Sequence, residues 1–142
     1  MVENCWIYKN ECLQNPPEGY IGYIYKITLP DNTYYYGKKV FFHKKKRALT
    51  QKEKIGTRKR IKIEQIDSKW LNYYGSNKNL ILHLKTIEIK EVKREILMFC
   101  KLKTELSYWE AYYLFTNNVL FDCNSWNSNI LGKFFKGKIQ QY

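Results

Sequence analysis

No apolar run in this chain approaches the roughly 20 residues that a membrane-spanning helix needs, so its 142 residues read as a soluble protein. The N-terminus has no basic start followed by an apolar block, which removes the expectation of a secretory leader. Proline is scarce at three residues, two of which stand together as Pro16-Pro17. Histidine is scarcer still, and Cys5, Cys12, Cys100 and Cys123 are spaced like no zinc signature, with only His43 and His83 to complete a set. The four cysteines are therefore expected to be reduced thiols without a structural metal, in a cytoplasmic setting. Acidic residues are the other shortage, with 13 Asp+Glu against 25 Lys+Arg and a formal charge of +12.

What the chain does have is that charge in one place. From Lys38 to Lys62 there are twelve basic residues and one acidic residue, Glu53, while the rest of the sequence is nearly balanced. Such a density repels itself unless a polyanion lies against it, which points to nucleic acid. A membrane surface is the poorer fit, because the segment carries no apolar stripe with aromatic anchors. Many point charges and few side chains suited to paired hydrogen bonds predict phosphate contacts with limited sequence preference.

The pattern along the chain predicts an α+β unit spanning 1–142 as one domain: a small antiparallel three-stranded sheet flanked by helices, with an N-terminal extension over 1–19. The strands are expected near Tyr20–Leu29, Thr33–Lys38 and Lys93–Cys100. The first two form a hairpin through Pro30-Asp31-Asn32, where proline fixes φ and Asp and Asn accept tight turns. The basic stretch over 38–62 reads as a mobile loop, because it contains Gly56 and lacks a helical apolar stripe. Lys69 to Leu84 reads as a turn leading into a short helix. Thr104 to Asn117 is the clearest helix, with Leu106, Trp109 and Tyr113 at helical spacing and Asn117-Asn118 as a stop. The basic tail over 128–142 carries no structural signal.

In order, the chain presents Tyr23-Ile24-Tyr25, then Tyr35-Tyr36-Gly37-Lys38-Lys39, the basic run, Trp70-Leu71-Asn72-Tyr73-Tyr74-Gly75-Ser76, Glu110 and Trp126-Asn127. This ordered set, over about Trp6 to Asn127, resembles the GIY-YIG nuclease superfamily, in particular its small phage-type, homing-endonuclease-like members. The resemblance implies a metal-dependent DNA endonuclease of a phage or a phage-infected bacterial cell. It places Tyr25 and Tyr35 as the two motif tyrosines, Lys38 as a lysine of the site, Glu110 as the single ligand of Mg²⁺ (or Mn²⁺) and Asn127 as the late asparagine. It implies double-stranded DNA as substrate and no small-molecule cofactor, and leaves the oligomeric state open.

The chain departs from the family pattern at three positions. Tyr23 stands for the glycine of the first motif, and Tyr36 for an aliphatic residue of the second. The catalytic arginine, usually about ten residues past the second tyrosine, is Lys45 here, with Arg47 two residues on. Lysine neutralises phosphate as a point charge but cannot make the paired contacts of arginine, so both stay as candidates. Lys39, His43, Lys44, Lys46, Arg58, Lys59 and Arg60 are the expected nucleic-acid contacts.

The chemistry needs these residue types. Phosphodiester hydrolysis requires a water that loses a proton, cations for the phosphoryl charge and help for the leaving oxygen. A tyrosine of pKa about 10 is a poor base at neutral pH unless cations lower that value, as Lys38, Lys45 and Arg47 are expected to do for Tyr25 or Tyr35. Each residue also has a structural reading. The tyrosines suit a half-buried strand, Glu110 three residues after Ser107 suits a capping box, and Asn127 suits a turn. On that reading the chain is a non-catalytic nucleic-acid-binding protein of the same fold.

Overall fold

The computed structural model describes residues 4–140, so the first three and last two residues of the expected extension and tail lie outside it. In chain order the elements are β1 (Trp6–Tyr8), β2 (Glu11–Leu13), β3 (Gly22–Thr28), β4 (Tyr34–Val40), β5 (Phe42–Ala48), β6 (Ile61–Asp67), α1 (Lys78–Leu84), β7 (Lys93–Cys100), α2 (Lys103–Thr116), β8 (Asn129–Ile130) and β9 (Phe134–Phe135). The three expected strands are present as β3, β4 and β7. The expected three-stranded sheet is nevertheless a five-stranded one, ordered β2-β1-β7-β3-β4.

The two extra strands come from the N-terminal extension. β1 pairs parallel to β7 through Trp6 opposite Arg94, and β2 folds back on β1 through a turn at Lys9 and Asn10, both at positive φ. At three residues each they are too short to display a period of two. Closure of this hairpin brings the Cα atoms of Cys5 and Cys12 to 5.8 Å, and the two form a disulfide. The expectation of four reduced thiols is thereby corrected; Cys100, buried, and Cys123, exposed, stay free.

β3 and β4 pair in register from Gly22 opposite Val40 to Thr28 opposite Tyr34. Their turn is closed by Asp31, whose carboxylate accepts from the Thr33 backbone N–H, and by Asn32 at φ 67°. Strand alternation divides the side chains cleanly. Tyr23, Tyr25, Ile27 and Tyr35 face one layer, where they meet Trp6, Phe41, Trp70 and Leu80 of α1. Ile24 and Tyr36 face the other, against Leu106 and Leu114 of α2.

The basic segment is not the expected mobile loop. Lys38 and Lys39 already lie in β4, and β5 and β6 form a separate antiparallel ribbon from Phe42 opposite Asp67 to Ala48 opposite Ile61. Alternating β-branched Ile61 and Ile63 give β6 its strand character. Arg47 then ties the ribbon together by donating to Glu64 at 2.6 Å and to both carboxylate oxygens of Glu53 at 2.8 and 3.0 Å. The tail likewise holds a short hairpin, β8–β9.

The tyrosine that replaces the first-motif glycine sits at the centre of the core. Tyr23 is fully buried, and its hydroxyl has no hydrogen-bond partner among the described residues. Burial drives its pKa far above that of an ordinary phenol, only partly opposed by the nearby Arg94 guanidinium. An unsatisfied buried hydroxyl costs free energy. Tyr23→Phe, which keeps the ring against Trp6 and Phe41, is expected to raise unfolding stability by about 1 kcal/mol in chemical denaturation.

Candidate active site

β4 is the last strand of the sheet, so one side of its backbone has no strand partner. Exposed peptide groups of this kind must be satisfied or covered. Three outward-facing residues meet this need in three different ways. Tyr34 exchanges backbone hydrogen bonds with the 124–126 segment, accepting from Trp126 N–H at 2.8 Å and donating to Asn124 at 2.9 Å. Tyr36 receives the side chain of Asn127, whose amide oxygen accepts from Tyr36 N–H at 3.0 Å while its amide nitrogen donates to the Tyr36 carbonyl at 2.8 Å. At Lys38, two residues further, the neighbouring group is the carboxylate of Glu110, whose charged form the Lys38 backbone N–H favours.

Beside this edge lies a polar pocket of about 290 Å³ lined by Tyr35, Ser76, Asn77, Glu110, Asn127 and Asn129, among others. Because it wraps around the edge, it receives groups from both faces of the sheet. Tyr35 comes from the α1 side, and its hydroxyl is 3.0 Å from Ser76 Oγ. Glu110 comes from the α2 side. It sits two turns into that helix, which begins at Lys103 with no side-chain cap, so the capping-box reading of Glu110 with Ser107 does not apply. Ser107 instead accepts from Lys38 Nζ at 3.0 Å, and the same ammonium is 3.8 Å from Glu110 Oε1.

Tyr25 does not line the pocket. It lies behind Tyr35, their ring centroids 6.2 Å apart, and its ring meets Tyr73 edge-on at 5.9 Å. Its hydroxyl occupies the space where residue 37, directly opposite on β4, would carry a Cβ; a methyl group there would also come within 2.6 Å of Tyr25 Cζ. The glycine of the second motif is thus required by the tyrosine of the first.

The electrostatics reverse one expectation. The cations were expected to lower the phenol pKa values, yet both are raised. Burial is the first cause at each, with Tyr73 adding to it at Tyr25, and with Tyr73 and Glu110 outweighing part of what the Ser76 hydrogen bond recovers at Tyr35. Of the expected cations only Lys38 is in contact with the site. Lys45 stands exposed on the ribbon, and Arg47 is held there by Glu53 and Glu64; neither lines the pocket. Glu110 is also raised, by burial, with Lys38 pulling the other way.

The remaining expected contacts are scattered. Lys39 lies 4.1 Å above the Tyr73 ring. Lys44 and Lys46 share one face of the ribbon while His43 lies on the other, and Arg58, Lys59 and Arg60 are exposed on the approach to β6. His83 stacks on Trp126 at 5.2 Å.

Ser76, Asn77 and Asn129 are pocket residues that sequence reasoning did not assign. Ser76 follows Gly75, whose φ of 96° turns the chain against the Tyr35 ring, so the Gly-Ser pair was the available signal. The segment is anchored from below by Arg94, fully buried, which donates to the carbonyls of Leu71 and Tyr73 at 2.9 Å each and of Asn4 at 2.7 Å. Its guanidinium lies between the rings of Trp6 and Tyr74.

Gly37→Ala is expected to cost about 1–3 kcal/mol, the usual range for overpacking a filled site. The cost should shrink in a Tyr25→Ala background, where the opposing ring is gone, and a double-mutant cycle by denaturation measures that coupling.

The family model described as "Putative endonuclease segE, GIY-YIG domain" matches residues 6–134. No curated protein and no solved structure matches significantly. The match runs from the first residue of β1 through the start of β9 and so includes the hairpin tyrosines, Glu110 and Asn127. With that span covered, the chain belongs to the phage-type GIY-YIG nuclease family.

Proposed function

We propose that this protein is a metal-dependent DNA endonuclease that hydrolyses phosphodiester bonds in duplex DNA at the pocket beside β4. The observation that carries the reading is the convergence of Tyr35 and Glu110, from opposite faces of the sheet, on one polar pocket, with the Lys38 ammonium 3.8 Å from Glu110 Oε1. A free-standing, homing-like role in a phage or its bacterial host fits the family matched.

The donor set suits a hydrated divalent cation. Glu110 is the one carboxylate of the pocket, and Ser76, Asn77 and Asn129 line it with hydroxyl and amide oxygens that each also make one hydrogen bond, to Tyr35, Leu80 and Gly132. Among the described residues no three His, Cys, Asp or Glu side chains come together, which disfavours zinc-like sites and leaves an oxygen-only shell completed by water, as Mg²⁺ or Mn²⁺ accepts. Glu110 would hold the ion, whose contribution when bound is to offset negative charge at the leaving oxygen.

The chain's own groups supply the rest. Lys38 sits between Ser107 and Glu110 on a flexible stem, and would meet the charge of a phosphate held beside Glu110. Tyr35 offers its hydroxyl on the pocket wall, and Ser76 fixes where that hydroxyl points. Burial keeps this phenol protonated at neutral pH, so it donates a hydrogen bond to the substrate and takes a proton from the attacking water only in its small phenolate fraction. Tyr25 buttresses Tyr35 from behind, and Asn127 spends both ends of its amide on β4, which makes it a positioning residue.

A non-catalytic nucleic-acid-binding protein is the second reading, favoured by the placement of Lys45 and Arg47 outside the pocket. The two readings separate on supercoiled plasmid with Mg²⁺. Wild type is expected to yield nicked and linear products and Glu110→Gln at least a hundredfold less; equal cleavage by both removes the Glu110 assignment, and no cleavage by either selects the binder. Glu110→Gln should be more stable than wild type at neutral pH. A raised carboxylate pKa means that the folded state holds its proton more tightly than the unfolded one, so stability falls as pH rises through the window above the model-peptide value. Acidification should erase that gain.

The pH profile tests Tyr35. With a raised phenol as base, the reactive fraction grows with hydroxide, and kcat/KM should climb about tenfold per pH unit from 7 without levelling below pH 10. Tyr35→Phe should flatten that slope; a plateau near pH 7 in wild type would remove tyrosine as the base.

A further inference from the structure

The β5–β6 ribbon has two unequal faces. Directly paired residues share a face of an antiparallel pair. One face therefore carries His43 with Ile66, Lys45 with Glu64 and Arg47 with Lys62, and the other carries Phe42 with Asp67, Lys44 with Gln65 and Lys46 with Ile63. On the first face Arg47 holds Glu53 and Glu64 and Lys62 holds Glu53, which leaves Lys45 as its one exposed lysine outside an ion pair among the described residues. The second is different: among the described residues Lys44 and Lys46 have no ion-pair partner, and both are exposed, as is Gln65.

That second face does not stop at the ribbon. Phe42, Lys44 and Gln65, joined by His43 from the start of the other face, line a cleft of about 790 Å³ together with Lys101 and Lys103 at the start of α2, with Glu18 as its one carboxylate. Lys103 is the first residue of α2; Ser107 and then Glu110 follow along the same helix. At 1.5 Å rise per residue the seven steps from Lys103 to Glu110 cover about 10 Å, close to the axial rise of about three base pairs at 3.4 Å each.

Resting on the nuclease reading above, the geometry points to a continuous duplex-binding track: Lys101 and Lys103 hold phosphates about three base pairs from the scissile bond, while the Lys44–Gln65 face of the ribbon enters the adjacent major groove. A two-stranded ribbon fits that groove, and lysine and glutamine are side chains that reach guanine and adenine edges there. The track gives the enzyme base preference at positions beside its cut. The track divides the labour, with α2 positioning and the ribbon reading. Lys101 and Lys103 stand outside the basic segment that the sequence singled out.

The experiment is duplex binding in EDTA, which reports on the track whether or not the protein cuts. Lys101→Ala/Lys103→Ala should weaken affinity for a 30-base-pair duplex at least tenfold and lower the slope of log affinity against log salt by about 1.8, the loss of two phosphate contacts. Lys90→Ala/Lys93→Ala removes the same charge beside the opposite end of β7 and should leave both unchanged. Gln65→Ala, with its thermal midpoint retained, should flatten by about tenfold the preference at one or two base pairs when a randomised duplex pool is bound and sequenced. Wild-type affinity and salt slope in the double variant, an unaltered preference in Gln65→Ala, or tighter binding of single-stranded RNA than of duplex would each overturn the track. A protein that binds through these residues but never cleaves plasmid would retain the track and lose the nuclease reading.

Discussion

The unpaired edge of β4 is the constraint on which the rest of this structure depends. A terminal strand must dispose of its outward N–H and C=O groups, and this chain does so with a stretch of backbone at Tyr34 and an amide side chain at Tyr36, beyond which the Glu110 carboxylate stands near Lys38. The pocket begins where backbone pairing ends, and the groups that meet there are the ones the edge has recruited. Asn127 illustrates the economy of this arrangement: by copying a neighbouring strand for one residue, it lets the chain turn away and frees the next position for chemistry.

Behind the edge, the site is held by burial more than by charge. Arg94 is a fully buried cation with carbonyl oxygens and aromatic faces in place of a carboxylate. Desolvation lowers its pKa, and several charge-assisted hydrogen bonds are needed to offset such a cost. Those bonds join the N-terminal extension at Asn4 to the segment that delivers Tyr73 and Ser76 to the two motif tyrosines. The extension is thus part of the site's scaffold, and the disulfide between Cys5 and Cys12 closes the hairpin that follows Asn4. The same dense packing raises both phenols.

The parts of this molecule that were legible in its sequence are those whose signal is local and long enough to repeat. The hairpin around Asp31 and Asn32, the apolar strand ending at Cys100 and the helix bearing Leu106 and Tyr113 each announce themselves through turn chemistry or period. Glu110 and Tyr35 were legible as residues of one pocket only through the ordered motif set, since they approach it from opposite faces of the sheet. What stayed hidden depends on partners far along the chain. Trp6 forms a strand because Arg94 lies beside it, and the lysine-rich β5 forms one because Ile61 and Ile63 return opposite it with Glu64 to bind Arg47. No window around either segment contains that information. The spacing of Arg47 says nothing of its partners for the same reason: Glu53 and Glu64 on the ribbon hold it, and it does not line the pocket.

A crystal structure with Mn²⁺ and an uncleavable phosphorothioate duplex tests the central claim most directly, because the metal's anomalous signal and the bound phosphate locate the chemistry independently of any rate. Manganese beside Glu110, with a phosphate oxygen within hydrogen-bonding distance of Tyr35 and Lys38, is the expected result. Metal and phosphate bound away from the edge of β4, with that pocket holding neither, would contradict it.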